Sequence, residues 1–198
     1  MIASGDKIHK LEAVLSGSIS YIFNTFDNSM PFSDIVADAK AKGYTEPDPR
    51  DDLSGLDVIR KITILARETG LNVETEEVVL NPILSDACLS ANSIDDFFEA
   101  LKDMDGHFME LYKKADSQNK KIRFLAKLVD GKCIVGIESV DSKSAFYNLG
   151  GSDNMVVIYS DRYKERPLVI KGPGAGADVT AAGVFSEILK IGSSFSSS

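Results

Sequence analysis

Residues 43–61 combine the residue types and the spacing that acid–base chemistry requires. The stretch holds several carboxylates, two prolines and a single lysine. Glu46 stands between a predicted helix end and Pro47, so its carboxylate is attached to a stiff backbone. Asp57 and Lys61 are four residues apart on a predicted helix and therefore share a face. Because a neighbouring carboxylate keeps a lysine charged, the segment could present a cationic proton donor beside carboxylates.

The same residues also admit a purely structural interpretation. Asp57 and Lys61 would then be an exposed helix ion pair, which contributes roughly 0.3–0.5 kcal/mol. Asp51 and Asp52 would form a helix cap near the positive end of the helix dipole. Spacing alone favours this structural interpretation, whereas the density of carboxylates around one lysine favours the functional one.

Hydrophobic periodicity predicts the elements that must position this segment. Leu11, Ala13 and Leu15 alternate as in a strand, and a turn follows at residues 16–18. Helical spacing predicts one helix from about residue 18 and a second over residues 33–41, with Ser33 as its N-cap. Residues 44–51 contain two prolines and are predicted not to form regular helix.

A third helix is predicted from Asp52 or Ser54 to Gly70. Its predicted apolar side is formed by Leu56, Ile59, Ile62 and Leu65. The following segments are a short strand at residues 78–80 and a helix that starts at Ser93 and reaches about residue 115, with a break near Gly106.

The remaining elements are predicted to be mostly strands. Alternation on both sides of Asp130-Gly131 predicts a β-hairpin. Residues 155–159 and 168–170 supply further strands, and a glycine-rich loop precedes a last helix over residues 178–191. We therefore expect an α+β fold, a mixed but mostly antiparallel sheet with helices covering one face. Residues 1–192 would form one domain, and residues 193–198 a disordered serine-rich tail.

Composition excludes several classes of function. The net charge of −8 and the pI near 4.8 argue against a nucleic-acid-binding surface, because such surfaces concentrate Lys and Arg. Cys88 and Cys133 lack a Cys-x-x-Cys spacing and are predicted to be buried thiols. The two histidines predict no metal site, and no apolar run suggests a membrane segment. A cytoplasmic protein is expected.

Three sequence blocks resemble those of a known family. Residues 43–61 are similar to the homoserine dehydrogenase signature G-Y-x-E-x-D-P-x-x-D-x-x-G-x-D-x-x-x-K. Residues 15–24 (LSGSISYIFN) and 174–184 (GAGADVTAAGV) resemble two further blocks of that family, in the same order. The details of the first block are most similar to the bifunctional aspartokinase–homoserine dehydrogenase type. The family reduces L-aspartate 4-semialdehyde to L-homoserine, reversibly, with NAD(P)H.

The resemblance implies a role for each matching residue. Lys61 would be the catalytic proton donor to the aldehyde oxygen, and the acceptor in the reverse direction. The substrate-binding residues would be Glu46 and Asp57, which hold the ammonium, Asp52, which organises the pocket, and Gly17, Ser18 and Tyr44, which line it. Gly43, Glu46 and Gly176 would touch the nicotinamide cofactor. If these roles hold, Glu46, Asp57 and Lys61 must converge on one cleft.

The resemblance also implies what the chain lacks. Residues 172–177 fit G-x-G-x-x-A, but a dinucleotide fingerprint requires a further βαβ unit and an acidic residue about twenty positions on. NAD(P) would thus be bound mostly by an N-terminal Rossmann domain that precedes this region in the family. We expect the chain alone to bind the cofactor poorly and to turn over little, to form a homodimer, and to derive from a parent that could include an aspartokinase domain. The alternatives are a non-enzymatic ligand-binding module and a dimerisation module.

Overall fold

The structure, a computed structural model, describes residues 1–195. Strands and helices follow in the order β1 Ile8–Val14, α1 Gly17–Thr25, α2 Phe32–Ala41, α3 Pro49–Leu53, α4 Leu56–Glu68, β2 Val79–Leu80, α5 Asp86–Leu89, α6 Ile94–Lys102, α7 Asp105–Asp116, β3 Lys121–Val129, β4 Lys132–Val140, β5 Asn154–Ser160, β6 Leu168–Gly172 and α8 Ala177–Phe195. Two short 3₁₀ turns lie at Ile2–Ser4 and Thr75–Glu77.

The described strands form one mixed sheet in the order β2-β4-β3-β1-β5-β6. Every neighbouring pair is antiparallel except β2 with β4. The β3–β4 hairpin turns at Asp130 and Gly131, both with positive φ, as a two-residue turn of the primed type requires. The predicted α+β class and the hairpin are both confirmed.

The main core lies between one face of the sheet and the helices. Alternate side chains of β1 and β3 point to this side, where α1, α4 and α7 pack against β3. Buried aromatic rings fill the centre, and Phe32 stacks on Phe108 with ring centroids 3.6 Å apart. On the opposite face a smaller cluster joins Val14 and Leu125 to Phe146 and Leu149 of the β4–β5 connection.

Two predicted helix starts differ from the structure. Helix α2 begins at Phe32 after Pro31, so Ser33 is not its N-cap. Ser33 is buried instead, and its amide and hydroxyl both donate to the Asp105 carboxylate. The prediction that residues 44–51 avoid helix is wrong from Pro49 onward, because proline is tolerated in the first turn of a helix, where its missing N–H has no partner anyway.

Helix α4 begins later than predicted, at Leu56, after Gly55 in the left-handed conformation. Leu56 is 52% exposed, so its assignment to the apolar side is wrong, whereas Ile59 and Ile62 are buried as predicted. The long predicted helix of the middle region is interrupted at Asp103 and Met104, just before Gly106. Ser93 caps α6 as predicted, since its hydroxyl accepts from the Asp96 amide.

Helix α8 has no buried residue and projects its apolar side chains from the rest of the chain. It extends to Phe195, so the first three residues of the predicted disordered tail are helical; residues 196–198 lie outside the described residues. Among residues 1–195, no helix combines the length and the apolar character needed to cross a bilayer.

Candidate active site

One open cavity of about 330 Å³ brings together nearly all the residues that the sequence singled out. Its walls contain the predicted residues Gly17, Ser18, Gly43, Tyr44, Glu46, Asp52, Asp57 and Lys61, together with Ser16, Ser152, Pro173, Gly174 and Ala175. Glu46, Asp57 and Lys61 therefore line one cleft and do not point to separate solvent faces. Gly176, a predicted cofactor contact, is not among the lining residues, although its three predecessors are.

Lys61 extends from α4 toward the junction of β1 and α1. Its Nζ donates to the backbone carbonyl of Leu15 at 3.0 Å and lies 2.6 Å from Asp57 Oδ2. The Lys61 side chain is 40% exposed and that of Asp57 58%, so this ion pair contributes little stability. The bond to Leu15 is different, because it connects residues far apart in sequence and fixes where the ammonium lies in the cavity.

Asp52 organises the acidic side of the cavity from within α3. Its Oδ1 accepts a 2.6 Å hydrogen bond from the Ser18 hydroxyl, and its Oδ2 accepts the Glu46 amide at 2.8 Å. Both oxygens therefore have partners within the chain. The Glu46 carboxylate, by contrast, is exposed and has no partner among the described residues. Asp52 therefore fixes the backbone at Glu46, and the Glu46 carboxylate is available to contact a ligand.

The start of the short helix α3 is stabilised by its N-cap residue. Asp48, not the predicted Asp51-Asp52 pair, is the N-cap and accepts the Arg50 amide at 3.0 Å. The Arg50 guanidinium also pairs with Asp48 at 2.6 Å, and this hydrogen bond holds the pKa of the Asp48 carboxyl below its usual range. The cap fixes the direction of α3 and thereby the position of Asp52.

Gly43 and Tyr44 form the turn that leads from α2 into the cavity wall. Gly43 has φ +75°, and the Tyr44 amide donates to Ala39 at 2.9 Å, which closes the helix end. The Tyr44 ring stacks on Tyr21 of α1 with centroids 3.9 Å apart. The left-handed turn alone requires a glycine at 43, so a cofactor contact is not needed to explain this residue.

The glycine-rich loop at residues 172–176 closes another side of the cavity. A Cβ at Gly174 would lie 1.9 Å from Asn154 Nδ2, so a larger residue there would require the Asn154 side chain to move. The preceding strand β6 pairs antiparallel with β5, and α8 does not pack on the sheet. This geometry differs from a Rossmann unit, in which the strand is parallel and the helix covers the sheet.

A second cavity of about 360 Å³ lies at the far end of α1 and contains none of the predicted site residues. Its lining includes Tyr112, Tyr147 and Arg123. The Arg123 guanidinium donates to backbone carbonyls of the surrounding loops and so belongs to the structural framework. The acidic cavity, with its lysine, is the better candidate for chemistry.

Comparison with known proteins identifies the family. The family model described as homoserine dehydrogenase matches residues 1–189. This chain belongs to the homoserine dehydrogenase family. It is 46% identical to the homoserine dehydrogenase of Saccharomyces cerevisiae, over 96% of the chain and 55% of that protein. It is 43% identical to the chloroplastic bifunctional aspartokinase/homoserine dehydrogenase 1 of Zea mays, over 98% of the chain and 21% of that protein.

Solved structures share the fold of this chain. A Candida auris protein of unknown function superposes with a TM-score of 0.91 at 41% identity, covering 96% of this chain and 55% of that one. The homoserine dehydrogenase of S. aureus shares the fold, with a TM-score of 0.75 at 22% identity over 96% of this chain and 44% of that one. The chain thus spans about a fifth of the bifunctional relatives and about half of the monofunctional ones.

Homoserine dehydrogenases depend on NAD(P), and the sequence predicted contacts to its nicotinamide end at Gly43 and Gly176. The space beside the α-carbons of Gly43 and Gly176 is open, so a flat ring could approach either backbone. Neither the glycine-rich loop nor any other segment of residues 1–195 supplies a parallel βαβ unit for the rest of a dinucleotide. In the part of the chain that the structure describes, no His, Cys, Asp and Glu cluster could hold a metal ion.

The sequence missed the residues that complete the cavity. Ser16 precedes α1 and its hydroxyl lies 3.0 Å from that of Ser18. Ser152 lies in an irregular turn and carries no local signal. The sequence did contain a local signal for three further lining residues, because the glycine-rich loop includes Pro173, Gly174 and Ala175. The sequence interpretation, however, assigned the cofactor contact to Gly176, the last residue of that loop.

Proposed function

We propose that this chain is the substrate-binding and proton-transferring part of a homoserine dehydrogenase, which interconverts L-aspartate 4-semialdehyde and L-homoserine. The observation that carries the proposal is the convergence of Lys61, Asp57 and Glu46 on one cavity. The family membership supplies the reaction, and the cavity supplies a proton donor and carboxylates at one place.

Lys61 is the residue that transfers the proton. The Lys61 ammonium donates its proton to the aldehyde oxygen as that oxygen becomes an alkoxide, and its positive charge stabilises the developing negative charge. In the opposite direction neutral Lys61 accepts the hydroxyl proton of homoserine. Its bond to Leu15 and its contact with Asp57 hold Nζ in place before substrate arrives.

The carboxylates bind the amino-acid end of the substrate. Glu46 is exposed in the cavity and is a suitable partner for the α-ammonium. Asp57 shares this role, while Asp52 keeps the Glu46 backbone in place through the amide bond. Gly17, Ser18 and Tyr44 shape the rest of the pocket, so a small zwitterionic aldehyde is the class of substrate that fits.

The cofactor we propose is NAD(P), which supplies the hydride when bound. Gly43, Glu46 and Gly176 would contact its nicotinamide end, and most of it would be held by a domain present in the longer relatives. The exposed apolar side of α8 is a suitable surface for packing against such a domain. We further propose a homodimer and a cytoplasmic location; relatives in Zea mays, Arabidopsis thaliana and Daucus carota are chloroplastic.

The decisive experiment joins this chain to the cofactor-binding part of the Saccharomyces cerevisiae relative and measures homoserine-dependent reduction of NADP. We expect Lys61→Ala to lower kcat by about 10²–10⁴-fold, because oxidation of homoserine loses the group that accepts its hydroxyl proton. Arg60→Ala, an exposed neighbour on the same helix, is the matched control and should keep its activity. The chain alone should turn over little. Full activity in Lys61→Ala would show that the assigned chemistry is wrong.

A non-enzymatic ligand-binding or dimerisation module is the other candidate. No feature of residues 1–195 favours it over the enzymatic one, and a family of dehydrogenases does not predict it. The chimera distinguishes the two directly, because such a module would show no homoserine-dependent turnover with any cofactor-binding domain attached.

A further inference from the structure

One face of α1 contacts the backbone of residues 151–153 at three points. Gly17, Ser20 and Asn24 are three and four residues apart, so they lie on the same side of the helix. Asn24 Nδ2 donates to the Gly151 carbonyl at 2.8 Å, and the Ser20 hydroxyl donates to the Asp153 carbonyl at 3.0 Å. The backbone of Gly17 packs so closely that a Cβ there would lie 3.1 Å from the Ser152 carbonyl oxygen.

The contacted segment has no regular structure of its own. Residues 151 and 152 form a turn, Gly151 has φ +64°, and β5 begins only at Asn154. Sheet hydrogen bonds therefore do not fix this segment, and its position depends on side chains that reach it. Besides the α1 contacts, the Asp153 carboxylate pairs with Lys171 of β6 at 3.3 Å.

The segment matters because Ser152 forms part of the cavity that contains Lys61 and Glu46. Asn24 and Ser20 themselves do not line that cavity. They are also joined to each other, since Asn24 Nδ2 lies 3.1 Å from the Ser20 hydroxyl. Two donors on α1 thus hold two carbonyls that flank Ser152, one on each side.

We propose that Ser20 and Asn24 are positioning residues for substrate binding, which act by holding Ser152 in the wall of the pocket. This inference rests on the proposed function, because it assigns the pocket to homoserine. Ser20 and Asn24 do not touch the reacting atoms. Their hydrogen bonds keep the 151–153 turn against the N-terminal end of α1, beside Gly17 and Ser18, so that the pocket has its shape before substrate binds.

The test measures binding of L-homoserine to the 198-residue chain by calorimetry, and the shift of the Ser152 amide signal by ¹⁵N NMR. Native protein should bind homoserine and show a homoserine-dependent shift at Ser152. Ser20→Ala and Asn24→Ala should each weaken binding on the order of tenfold, which corresponds to about 1.4 kcal/mol, and should reduce the Ser152 shift. Ser20→Thr, which keeps the hydroxyl, should restore both.

Ser33→Ala is the matched control. Ser33 is buried like Ser20 and its hydroxyl donates to Asp105, but it lies in α2 and does not line the cavity. Ser33→Ala should lower Tm as much as Ser20→Ala does and leave homoserine affinity unchanged. Native affinity in Ser20→Ala and Asn24→Ala would overturn the positioning role alone. A native chain that binds no homoserine would overturn the proposed function and this inference with it.

Discussion

At the scale of single residues, polar side chains on the helices form hydrogen bonds with backbone atoms of loops and strand ends. Lys61 donates to Leu15, Asp52 accepts the Glu46 amide, and Asn24 donates to Gly151. Each bond connects a side chain on a helix to a loop or strand end. The helices therefore act as a rigid support, and the loops of the cavity take their positions from it.

Arg123 is a buried charged side chain that leads to a testable prediction. It is 5% exposed, and its guanidinium donates to the carbonyls of Phe23, Ile122, Phe146, Tyr147 and Leu149. Burial lowers the pKa of Arg123 to about 10, which still leaves it charged at neutral pH. One side chain thus holds the end of α1 and the β4–β5 connection together.

Arg123→Lys should lower the free energy of unfolding by about 2–4 kcal/mol, because a single ammonium cannot satisfy all of those buried carbonyls. Urea denaturation of the 198-residue chain measures the change. Arg123→Met removes the charge as well, and a similar loss in that variant would assign the effect to the carbonyls. A change in Arg123→Lys below about 0.5 kcal/mol, as an ordinary surface substitution gives, would contradict this account.

At the scale of elements, the junction of α3 and α4 sets the relative direction of the Asp52 and Asp57 side chains. Gly55 ends one helix region and caps the next with φ +75°. A Cβ at this position would also lie 3.3 Å from the Phe124 ring and 3.4 Å from Leu80. Both the backbone conformation and the close packing therefore require glycine between Asp52 and Asp57.

Gly55→Ala should destabilise the chain by about 1–3 kcal/mol, since a side chain in the left-handed region costs roughly 1–2 kcal/mol and the new methyl meets Phe124. The control is Gly106→Ala in α7, where φ is negative and no atom lies within 4 Å of the new Cβ. That variant should gain up to about 1 kcal/mol. Equal Tm changes in the two variants would rule out the conformational explanation.

Sequence patterns predicted the elements well where one local signal was sufficient. The β3–β4 hairpin, the Ser93 cap and the strand at the N-terminus are confirmed. Local reasoning failed at Ser33, whose hydroxyl bonds to Asp105 seventy-two residues away. It also failed at Leu56, which is 52% exposed, because the buried side of α4 is formed instead by Val58 together with Ile59, Ile62 and Ala66.

At the scale of the whole molecule, α8 is a long helix with no buried residue. It is amphipathic: Val184, Phe185, Ile188 and Leu189 lie on one side, and the Glu187–Lys190 ion pair on the other. Each of these apolar side chains is more than half exposed. An apolar helix face of this kind is typical of a surface that another domain covers.

Phe185→Asp and Ile188→Asp should therefore change the free energy of unfolding of the 198-residue chain by less than about 0.5 kcal/mol. In the chimera with a cofactor-binding domain the same substitutions should lower both Tm and activity. Ser186→Asp, on the polar side of α8, is the control and should be neutral in both proteins. If the chimera tolerates Phe185→Asp and Ile188→Asp, α8 does not pack against the added domain.

The sequence by itself determined the family, the α+β class and the residues proposed for the site, because these depend on residue identity and on short-range spacing. Glu46, Asp52, Asp57 and Lys61 all fall within nineteen consecutive positions. Only the tertiary structure decided what each of them contacts. Ser18 and Ser152 reach the same cavity from segments far away in the chain, and the Leu15 carbonyl accepts from Lys61. Hydrogen bonds between such segments form only when the sheet and the helices have packed together.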